Sequence, residues 1–300
     1  MNIPSNIAYE AQLSSARLSA TQPFYWSVRR ELWENPSIYV APIIVGGLML
    51  LGFLIASIGR AMSLSDPAQR VAVLAEPNGF AALVIMGTTF VVGIFYCLDA
   101  LHGERRDRSI LFWKSLPVSD LTTVLSKASI PFVVLPLLTF AITVATQLIM
   151  LLLGAAVVHG SGLHVGLLWN RVSFFQLSLM LLYHLVAVHV LWYAPIYAWL
   201  LLVSGWAKRA AFLWAALPWV ALSIVEKIAF NTSHLGALLG YRFTGSEAGG
   251  SFMEHSGSMN PLMEITPGKF FASSGLWIGL AIAALFLAAA VRLRRYRSPI

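Results

Sequence analysis

Few side chains of this sequence are of a type that could do chemistry inside an apolar environment, and His184, His189 and Gln147 come first. Both histidines lie in one apolar run, five positions apart. On an α-helix of 3.6 residues per turn they would point about 140° away from each other, so we do not expect them to bind one metal ion or haem together. A polar residue in a bilayer needs a partner or water, which makes His184 and Gln147 candidates for a polar pathway. The alternative for both is a structural hydrogen bond between helices.

A second candidate is the segment Gly160-Ser161-Gly162, which lies between His159 and His164. A serine close to a histidine has the composition of a nucleophile with its base. A short turn between membrane helices explains the same residues without catalysis. The sequence contains no G-x-x-x-x-G-K-[ST] phosphate loop and no H-E-x-x-H or G-x-S-x-G motif. We therefore predict no catalytic residue, no metal ligand and no cofactor in this chain, which is not expected to be an enzyme by itself.

The composition indicates which elements must carry these residues. The chain has 300 residues, of which 58% are hydrophobic and 11% are charged. Soluble domains contain about 25% charged residues, so an all-α polytopic membrane protein is the class that fits. The formal net charge is +7, but the basic residues are spread over several loops, and we expect no nucleic-acid partner. The single cysteine, Cys97, excludes an internal disulfide.

Six apolar segments approach or exceed the length of about 20 residues that crosses a membrane. They are Ile38–Ile58, Phe80–Leu98, Ala128–Val158, Phe174–Val203, Ala210–Phe230 and Phe270–Val291. The third contains Pro131 and Pro136, which predict a kink or an unwound turn. Near the outer end of the fifth, Glu226 and Lys227 are expected to reach towards the membrane surface.

The division of the chain follows from these segments. Residues 38–300 are expected to form one membrane domain with a cytoplasmic loop over residues 99–127 and a long outer loop over residues 231–269. Residues 1–37 precede it. Within them, the mixture of aromatic and charged residues that begins at Phe24 predicts an amphipathic helix on the membrane surface.

Basic residues beside the segments predict the topology. Five of them fall on one side: Arg60, Arg70, Arg171, Arg242 and Lys269. Fourteen fall on the other side: Arg17, Arg29, Arg30, Arg105, Arg106, Arg108, Lys114, Lys127, Lys208, Arg209, Arg292, Arg294, Arg295 and Arg297. Cytoplasmic loops carry the excess of Lys and Arg, so both termini and the loop over residues 99–127 are predicted to be cytoplasmic, in the inner (plasma) membrane of the cell.

That loop combines features that a plain connector lacks. A charged start, Glu104 to Arg108, is followed by the apolar residues of ILFWKSL, and then by Pro117. Ser119 is suited to cap a new helix, with Asp120 in its first turn. This pattern predicts a short amphipathic element joined to a membrane helix. An element that only lies in the headgroup layer is the alternative.

At this loop the sequence resembles the permeases of ABC-2 type transporters. Their first cytoplasmic loop has a Glu/Arg-rich start, a Leu-rich stretch, the sequence L-P-V-S and a helix that carries a lysine. Matching residues here are Glu104-Arg105-Arg106, Ile110-Leu111, Leu116-Pro117-Val118-Ser119 and Lys127. The family often has a Gly-Thr pair where this chain has Arg108-Ser109. In outline the resemblance extends over the whole chain.

The resemblance implies a transporter subunit whose conformational changes are driven by separate subunits. Two permeases, identical or related, would pair in the membrane and bind two separate ABC ATPase subunits, which hold the ATP and Mg²⁺. The implied contact with the ATPase involves Glu104, Arg105, Arg106, Asp107, Arg108, Phe112, Trp113, Leu116 and Pro117. The implied activity is export. The lack of mid-span charges, apart from the histidines, favours an amphipathic or hydrophobic substrate.

Two other functions remain as alternatives. One is a membrane-embedded redox or lipid-modifying enzyme that uses its histidines. The other is a non-transporting anchor or sensor subunit, in which the basic end of the chain, Arg292 to Arg297, contacts lipid headgroups.

Overall fold

The computed structural model describes residues 21–115, 118–244 and 267–296. Throughout these ranges the chain is helical, without a β-strand. The α-helices are α1 (Thr21–Glu34), α2 (Ser37–Gly52), α3 (Gly59–Ser63), α4 (Pro67–Ala75), α5 (Pro77–Ala100), α6 (His102–Arg106), α7 (Ser109–Ser115), α8 (Asp120–Ser129), α9 (Leu135–Gly160), α10 (Gly166–Val172), α11 (Phe174–His184), α12 (Ala194–Trp206), α13 (Ala211–Phe230), α14 (His234–Thr244), α15 (Pro267–Ala272) and α16 (Ser274–Tyr296).

Six helical stretches are long and apolar enough to cross a membrane, as the sequence predicts. They are Ser37–Ser63, Pro67–Arg106, Asp120–Gly160, Gly166–Trp192, Ala211–Phe230 and Ser274–Tyr296. The fourth continues, after one residue, into the shorter apolar helix α12. The described part of the chain is therefore all-α and has the six apolar helices of a multi-pass membrane protein; these stretches are called spans 1 to 6 below, with α12 counted in span 4.

Three π-helical turns interrupt the spans: Phe53–Ile58, Ile130–Val134 and Leu185–Trp192. The second begins one residue before Pro131, which has no backbone N–H to donate to the preceding turn. At this proline span 3 contains a π-helical turn, where the sequence predicts a kink or an unwound turn. Pro136 lies at the start of α9, directly after this π-helical turn, and it too lacks a backbone N–H.

The ends of the helices follow local chemistry. Ser119 caps α8 as predicted, since its Oγ accepts from the backbone N–H of Thr122 at 3.0 Å. Asp66 caps α4 in the same way, through Ala68 at 3.0 Å. Ser173 and Ala210 have left-handed backbones (φ 43° and 48°), which end the preceding segment and turn the chain into the next helix.

The core lies where spans 2, 3, 4 and 6 meet. Helix α12 packs extensively against α16 and α5, and α5 also contacts α2 and α9. Tyr197 of α12 is fully buried there. Its ring lies so close to Gly93 of α5 that a Cβ on the glycine would stand 3.0 Å from the ring. A glycine at this position therefore sets the distance between spans 2 and 4.

One end of the bundle gathers the elements that are most distant in sequence. Helix α1 packs on α8, α8 packs on the end of α16, and α6 contacts α12. The first described helix, the loop after span 2 and the last turn of span 6 therefore share one end, called the loop end below. This grouping agrees with the predicted grouping of basic residues. The side of the membrane that the loop end faces stays a prediction.

Helix α1 has two different faces. Val28 and Leu32 pack against the core of the bundle. Trp26 and Trp33 are exposed, by 57% and 71%, and the Arg29 guanidinium lies 5.2 and 4.7 Å from their ring centroids. This division fits the predicted amphipathic helix, with aromatic rings and a cation on its outer face.

Candidate functional site: a buried ion cluster

Four side chains that are charged at neutral pH meet inside the loop end of the bundle. Glu31 comes from α1, Glu104 from α6, Lys127 from α8 and Arg294 from α16. Their side chains are only 1%, 7%, 2% and 4% exposed. Charged side chains are rarely buried unless they are paired, so each of these four is expected to have a partner of opposite charge.

Lys127 and Glu104 are the centre of this cluster. The Lys127 Nζ lies 2.9 Å from Glu31 Oε1 and 3.2 Å from Glu104 Oε1. The second oxygen of Glu104, Oε2, accepts from Arg294 Nη1 at 2.7 Å. Arg30 closes the ring, since its Nη2 lies 2.7 Å from Glu31 Oε1 and 3.0 Å from Glu104 Oε1.

Two further groups complete the pairing. The Tyr96 hydroxyl of α5 donates to Glu31 Oε2 at 2.8 Å. Arg294 Nε lies 3.3 Å from Asp120 Oδ1, at the start of α8, an ion pair whose geometry does not form a hydrogen bond. The cluster thus joins three cations (Arg30, Lys127, Arg294) to three carboxylates (Glu31, Glu104, Asp120), whose formal charges balance, and the half-exposed Glu34 lies outside it, 3.6 Å from Arg30 Nε. In the following sections "ion cluster" means these six residues.

The electrostatics keep Glu31 ionised. Burial by itself would raise the pKa of the Glu31 carboxyl, but the ion pairs with Lys127 and Arg30 outweigh it, and the pKa is lowered from its ordinary value of 4.5. Burial likewise opposes the charge of Arg30, and the nearby Glu31 and Glu104 still raise the pKa of its guanidinium. Glu31 and Arg30 therefore stay charged at neutral pH.

Such a cluster holds segments in register more than it adds net stability. Desolvation of buried ions offsets most of their attraction, whereas removal of one partner leaves an unpaired buried charge and costs about 3–5 kcal/mol. The six residues belong to α1, α6, α8 and α16, which continue into or belong to spans 1, 2, 3 and 6. The ion pairs and hydrogen bonds of the cluster hold these segments together. The cluster offers no nucleophile or vacant ligand set.

Helix α6 is fastened to span 4 by separate bonds. The Ser204 Oγ of α12 accepts from the backbone N–H groups of Leu101 and His102, both at 2.8 Å. Arg105 Nη1 donates to the carbonyl oxygens of Gly205, at 2.8 Å, and Ala207, at 3.2 Å. The loop after span 2 is thus bonded to the end of span 4 as well as to the ion cluster.

The residues predicted to contact an ATPase divide into two groups. Glu104 and Arg105 point inward, and direct contact with a separate subunit does not fit their burial. Arg106, Asp107 and Arg108 are exposed. Arg106 Nε lies 3.1 Å from Asp107 Oδ1, and Arg108 takes a left-handed backbone (φ 59°) that turns the chain from α6 into α7.

The apolar part of this predicted contact lies in α7. Leu111 and Phe112 are 59% and 61% exposed. The side chain of Trp113 and the whole of Leu116 and Pro117 lie outside the described residues. We call the surface formed by Arg106, Asp107, Arg108, Leu111 and Phe112 the loop face. Its predicted contact with an ATPase stays a prediction.

Each of the two candidates for a polar pathway has one polar atom bonded within the bundle, whereas Gln147 Oε1 and His184 Nε2 are buried without a hydrogen-bond partner among the described residues. Gln147 Nε2 donates to the backbone oxygen of Asn78 at 3.1 Å, which joins spans 3 and 2. His184 Nδ1 lies 2.9 Å from the carbonyl oxygen of Met180, one turn earlier in its own helix. The alternative of a structural hydrogen bond between helices fits Gln147. A role in a pathway stays a prediction for both.

The spacing argument for the histidines assumed a regular α-helix, and this assumption is wrong here. Residues 185–192 form a π-helix, which has more residues per turn than an α-helix. His189 Nε2 lies 3.0 Å from the Tyr197 hydroxyl, while His184 bonds to its own helix, so the two rings have different partners. Among the described residues, no group of three or more His, Cys, Asp or Glu side chains could hold a metal ion.

Glu226 has a role that the sequence did not predict. Its carboxylate accepts from the backbone N–H groups of His234 and Leu235, at 2.6 and 2.9 Å, and from Thr232 Oγ1 at 2.9 Å. It therefore caps the first turn of α14, where a negative charge is favourable. The Gly/Ser-rich middle of the predicted outer loop lies outside the described residues.

Sequence reasoning missed Glu31 and Arg294 as site residues and named Lys127 only as part of a motif. Each looks like an ordinary solvated charge beside a span. One signal was available: Glu31 stands between Val28 and Leu32 on the face of α1 that a 3.6-residue period turns inward. A carboxylate on an apolar face needs a cationic partner.

Comparisons with known proteins add nothing to this geometry, because no protein-family model, no curated protein and no solved structure matches the chain.

Proposed function

We propose that this chain is the membrane-spanning permease subunit of an ABC transporter of the ABC-2 type, moved by a separate ATPase subunit. The observation that carries the proposal is the loop end: an exposed loop face backed by a buried ion cluster. The resemblance of the loop sequence to that family supports the same function. A second permease, identical or related, would complete the membrane part, and the substrate would be an amphipathic or hydrophobic molecule for export.

Force transmission requires a contact surface that does not slip and a rigid link behind it. Arg106, Asp107 and Arg108 supply charges that fix register, and Leu111 and Phe112 supply apolar area. Behind them, Glu104 bonds to Arg30, Lys127 and Arg294. A push on the loop face would therefore reach four helices at once.

The link extends to most of the bundle. Through the ion cluster the loop is joined to the helix before span 1, the start of span 3 and the end of span 6. Through Ser204, Gly205 and Ala207 it is joined to span 4. Rigid-body motion of packed helices is the usual way in which a local contact produces a global change of state. In this proposal the loop end lies in the cytoplasm, where ATP is available, in the inner (plasma) membrane.

The proposal is tested by copurification from the membranes of the native host. Tagged full-length protein is expected to bring down an ATP-hydrolysing subunit with a Walker-type motif. The variant that combines Arg106→Glu with Phe112→Ala should lose most of this partner, because it reverses a charge and removes an apolar contact. Both positions are exposed, so the variant should still fold.

The matched control is Arg60→Glu combined with Leu54→Ala, which likewise reverses one exposed arginine and truncates one exposed apolar side chain, towards the opposite end of span 1. It should retain the ATPase. Absence of any ATPase in the wild-type preparation, or equal loss in both variants, would contradict the proposal.

A further inference from the structure

A cavity of about 470 Å³ opens beside the ion cluster, between the start of α8 and the end of α16. Arg292, Arg295 and Asp120 supply its charged lining. Leu121, Ala288 and Val291 line it as an apolar wall. Tyr296 and Ser119 complete the rim.

The charges at this cavity do not cancel. Asp120 is engaged with Arg294, at 3.3 Å, and belongs to the balanced ion cluster. Arg292 and Arg295 are exposed and make no hydrogen bond or ion pair within the part of the chain that the structure describes. The cavity therefore presents two guanidinium groups without an anion.

The two kinds of lining residue are separated along the axis of α16. Ala288 belongs to the apolar part of span 6, and Arg295 stands seven residues nearer its end. At 1.5 Å per residue this separation is about 10 Å, which is the distance from the headgroup level into the first part of the acyl chains. Ala288, Arg292 and Arg295 follow the spacing of one helical face.

From this arrangement we propose that the cavity binds an anionic phospholipid of the adjoining leaflet. Arg292 and Arg295 hold the phosphate group, since arginine pairs well with phosphate oxygens. The first methylene groups of the lipid lie against Leu121, Ala288 and Val291. The bound lipid bridges α8 and α16, the same two helices that Arg294 and Asp120 join. The inference does not depend on the proposed transport function.

The test uses the full chain in a mild detergent, with phosphatidylglycerol, phosphatidylcholine or inorganic phosphate added. Native mass spectrometry measures the bound lipid, and thermal unfolding measures stabilisation. We expect phosphatidylglycerol to bind about tenfold or more tightly than phosphatidylcholine, because two arginines act on its net negative charge. Inorganic phosphate is expected to give little stabilisation, since it gains nothing from the apolar wall.

Three variants separate a built site from general surface charge. Arg292→Gln with Arg295→Gln should abolish the preference for phosphatidylglycerol. Lys208→Gln with Arg209→Gln removes two exposed cations from the same end and should preserve it. Ala288→Trp leaves the arginines in place but fills the apolar part of the cavity, and should weaken binding of the lipid.

The outcomes are decisive in each arm. Equal loss of preference in both double variants would show surface attraction without a site and would overturn the proposal. Stabilisation by inorganic phosphate equal to that by the lipid would make this a phosphate site and would overturn the assignment of a lipid. Unchanged lipid binding in Ala288→Trp would also contradict it.

Discussion

Lys127 shows what burial does to a single charged residue in this protein. Its ammonium group is shared by two carboxylates, Glu31 and Glu104, and its side chain is 2% exposed. In water such a lysine would lose little by losing a partner. Here the site excludes water, and each carboxylate takes the place of the water molecules that would otherwise solvate the ammonium group. The stability of each charged group therefore depends on the presence of the others.

Removal of two paired ions together should therefore cost less than the sum of the two separate removals. Lys127→Met leaves Glu31 and Glu104 short of a cation and should lower the free energy of unfolding by about 3 kcal/mol or more, as for other broken buried pairs. Adding Glu31→Gln to it should cost less than the sum of the two single changes. Thermal or denaturant unfolding in detergent measures this double-mutant cycle.

Glu34→Gln is the matched control for this cycle, because Glu34 lies on the same helix and pairs with the same Arg30, at 3.6 Å from its Nε, but its side chain is 50% exposed. It should change the free energy of unfolding by less than about 1 kcal/mol. Additive effects of the Lys127 and Glu31 changes would contradict the picture of mutually dependent ions.

The lowered pKa of Glu31 predicts a pH dependence with a definite sign. A carboxyl whose pKa is lower in the folded state than its ordinary value of 4.5 stabilises the fold fully above that value. This contribution is lost as the pH falls through the folded-state pKa. The stability difference between wild type and Glu31→Gln should thus be largest near neutral pH and shrink in acid.

Thermal unfolding at a series of pH values, from about pH 7 down to about pH 3.5, provides the measurement. A difference that stays constant over this range, or grows in acid, would show that Glu31 is not held ionised by Lys127 and Arg30.

Among the secondary-structure elements, α6 is the one that connects the ion cluster to span 4. It is one and a half turns long, too short to be stable alone. Its first N–H groups have no partner inside the helix, and Ser204 of span 4 supplies one for Leu101 and His102. The stability of α6 therefore depends on its hydrogen bonds to span 4.

Ser204→Ala should loosen this attachment. It leaves two backbone donors without an acceptor, at an expected cost of about 1–3 kcal/mol. Hydrogen exchange at the amides of Leu101 and His102 should become faster by about tenfold or more. Ser178→Ala is the control, because the Ser178 hydroxyl only donates to Phe174 in its own helix. Unchanged hydrogen exchange at Leu101 and His102 in Ser204→Ala would contradict this link between the loop and span 4.

The elements show where sequence reasoning works and where it stops. The spans are predictable because apolar length is a property of consecutive residues, and the cap at Ser119 is predictable because it acts over three residues. The π-helix over residues 185–192 is not predicted, since it contains no proline itself. Ion pairs such as Arg294 with Glu104, 190 positions apart, depend on which helices meet, and a single sequence does not state that.

At the scale of the whole molecule, both ends of the described chain lie at the loop end, as an even number of crossings requires. The basic residues predict that this end is cytoplasmic. Cysteine labelling in intact cells tests this. Cys97 is fully buried and should give little background.

Arg209→Cys lies at the loop end and Ser161→Cys at the opposite end, and both positions are exposed. A membrane-impermeant thiol reagent should label position 161 in intact cells, and position 209 only after the cells are opened. Labelling of position 209 in intact cells would reverse the orientation and place the loop face outside the reach of cytoplasmic ATP.

The most direct measurement of the central claim is photo-crosslinking from the loop face in the native host. A photoreactive residue is placed at Phe112 or, as the control, at Ser161, and the adducts are identified by mass spectrometry. The account predicts that position 112 forms an adduct with an ATP-hydrolysing subunit and that position 161 does not. An ATPase adduct at position 161, or none at position 112 in correctly folded protein, would contradict it.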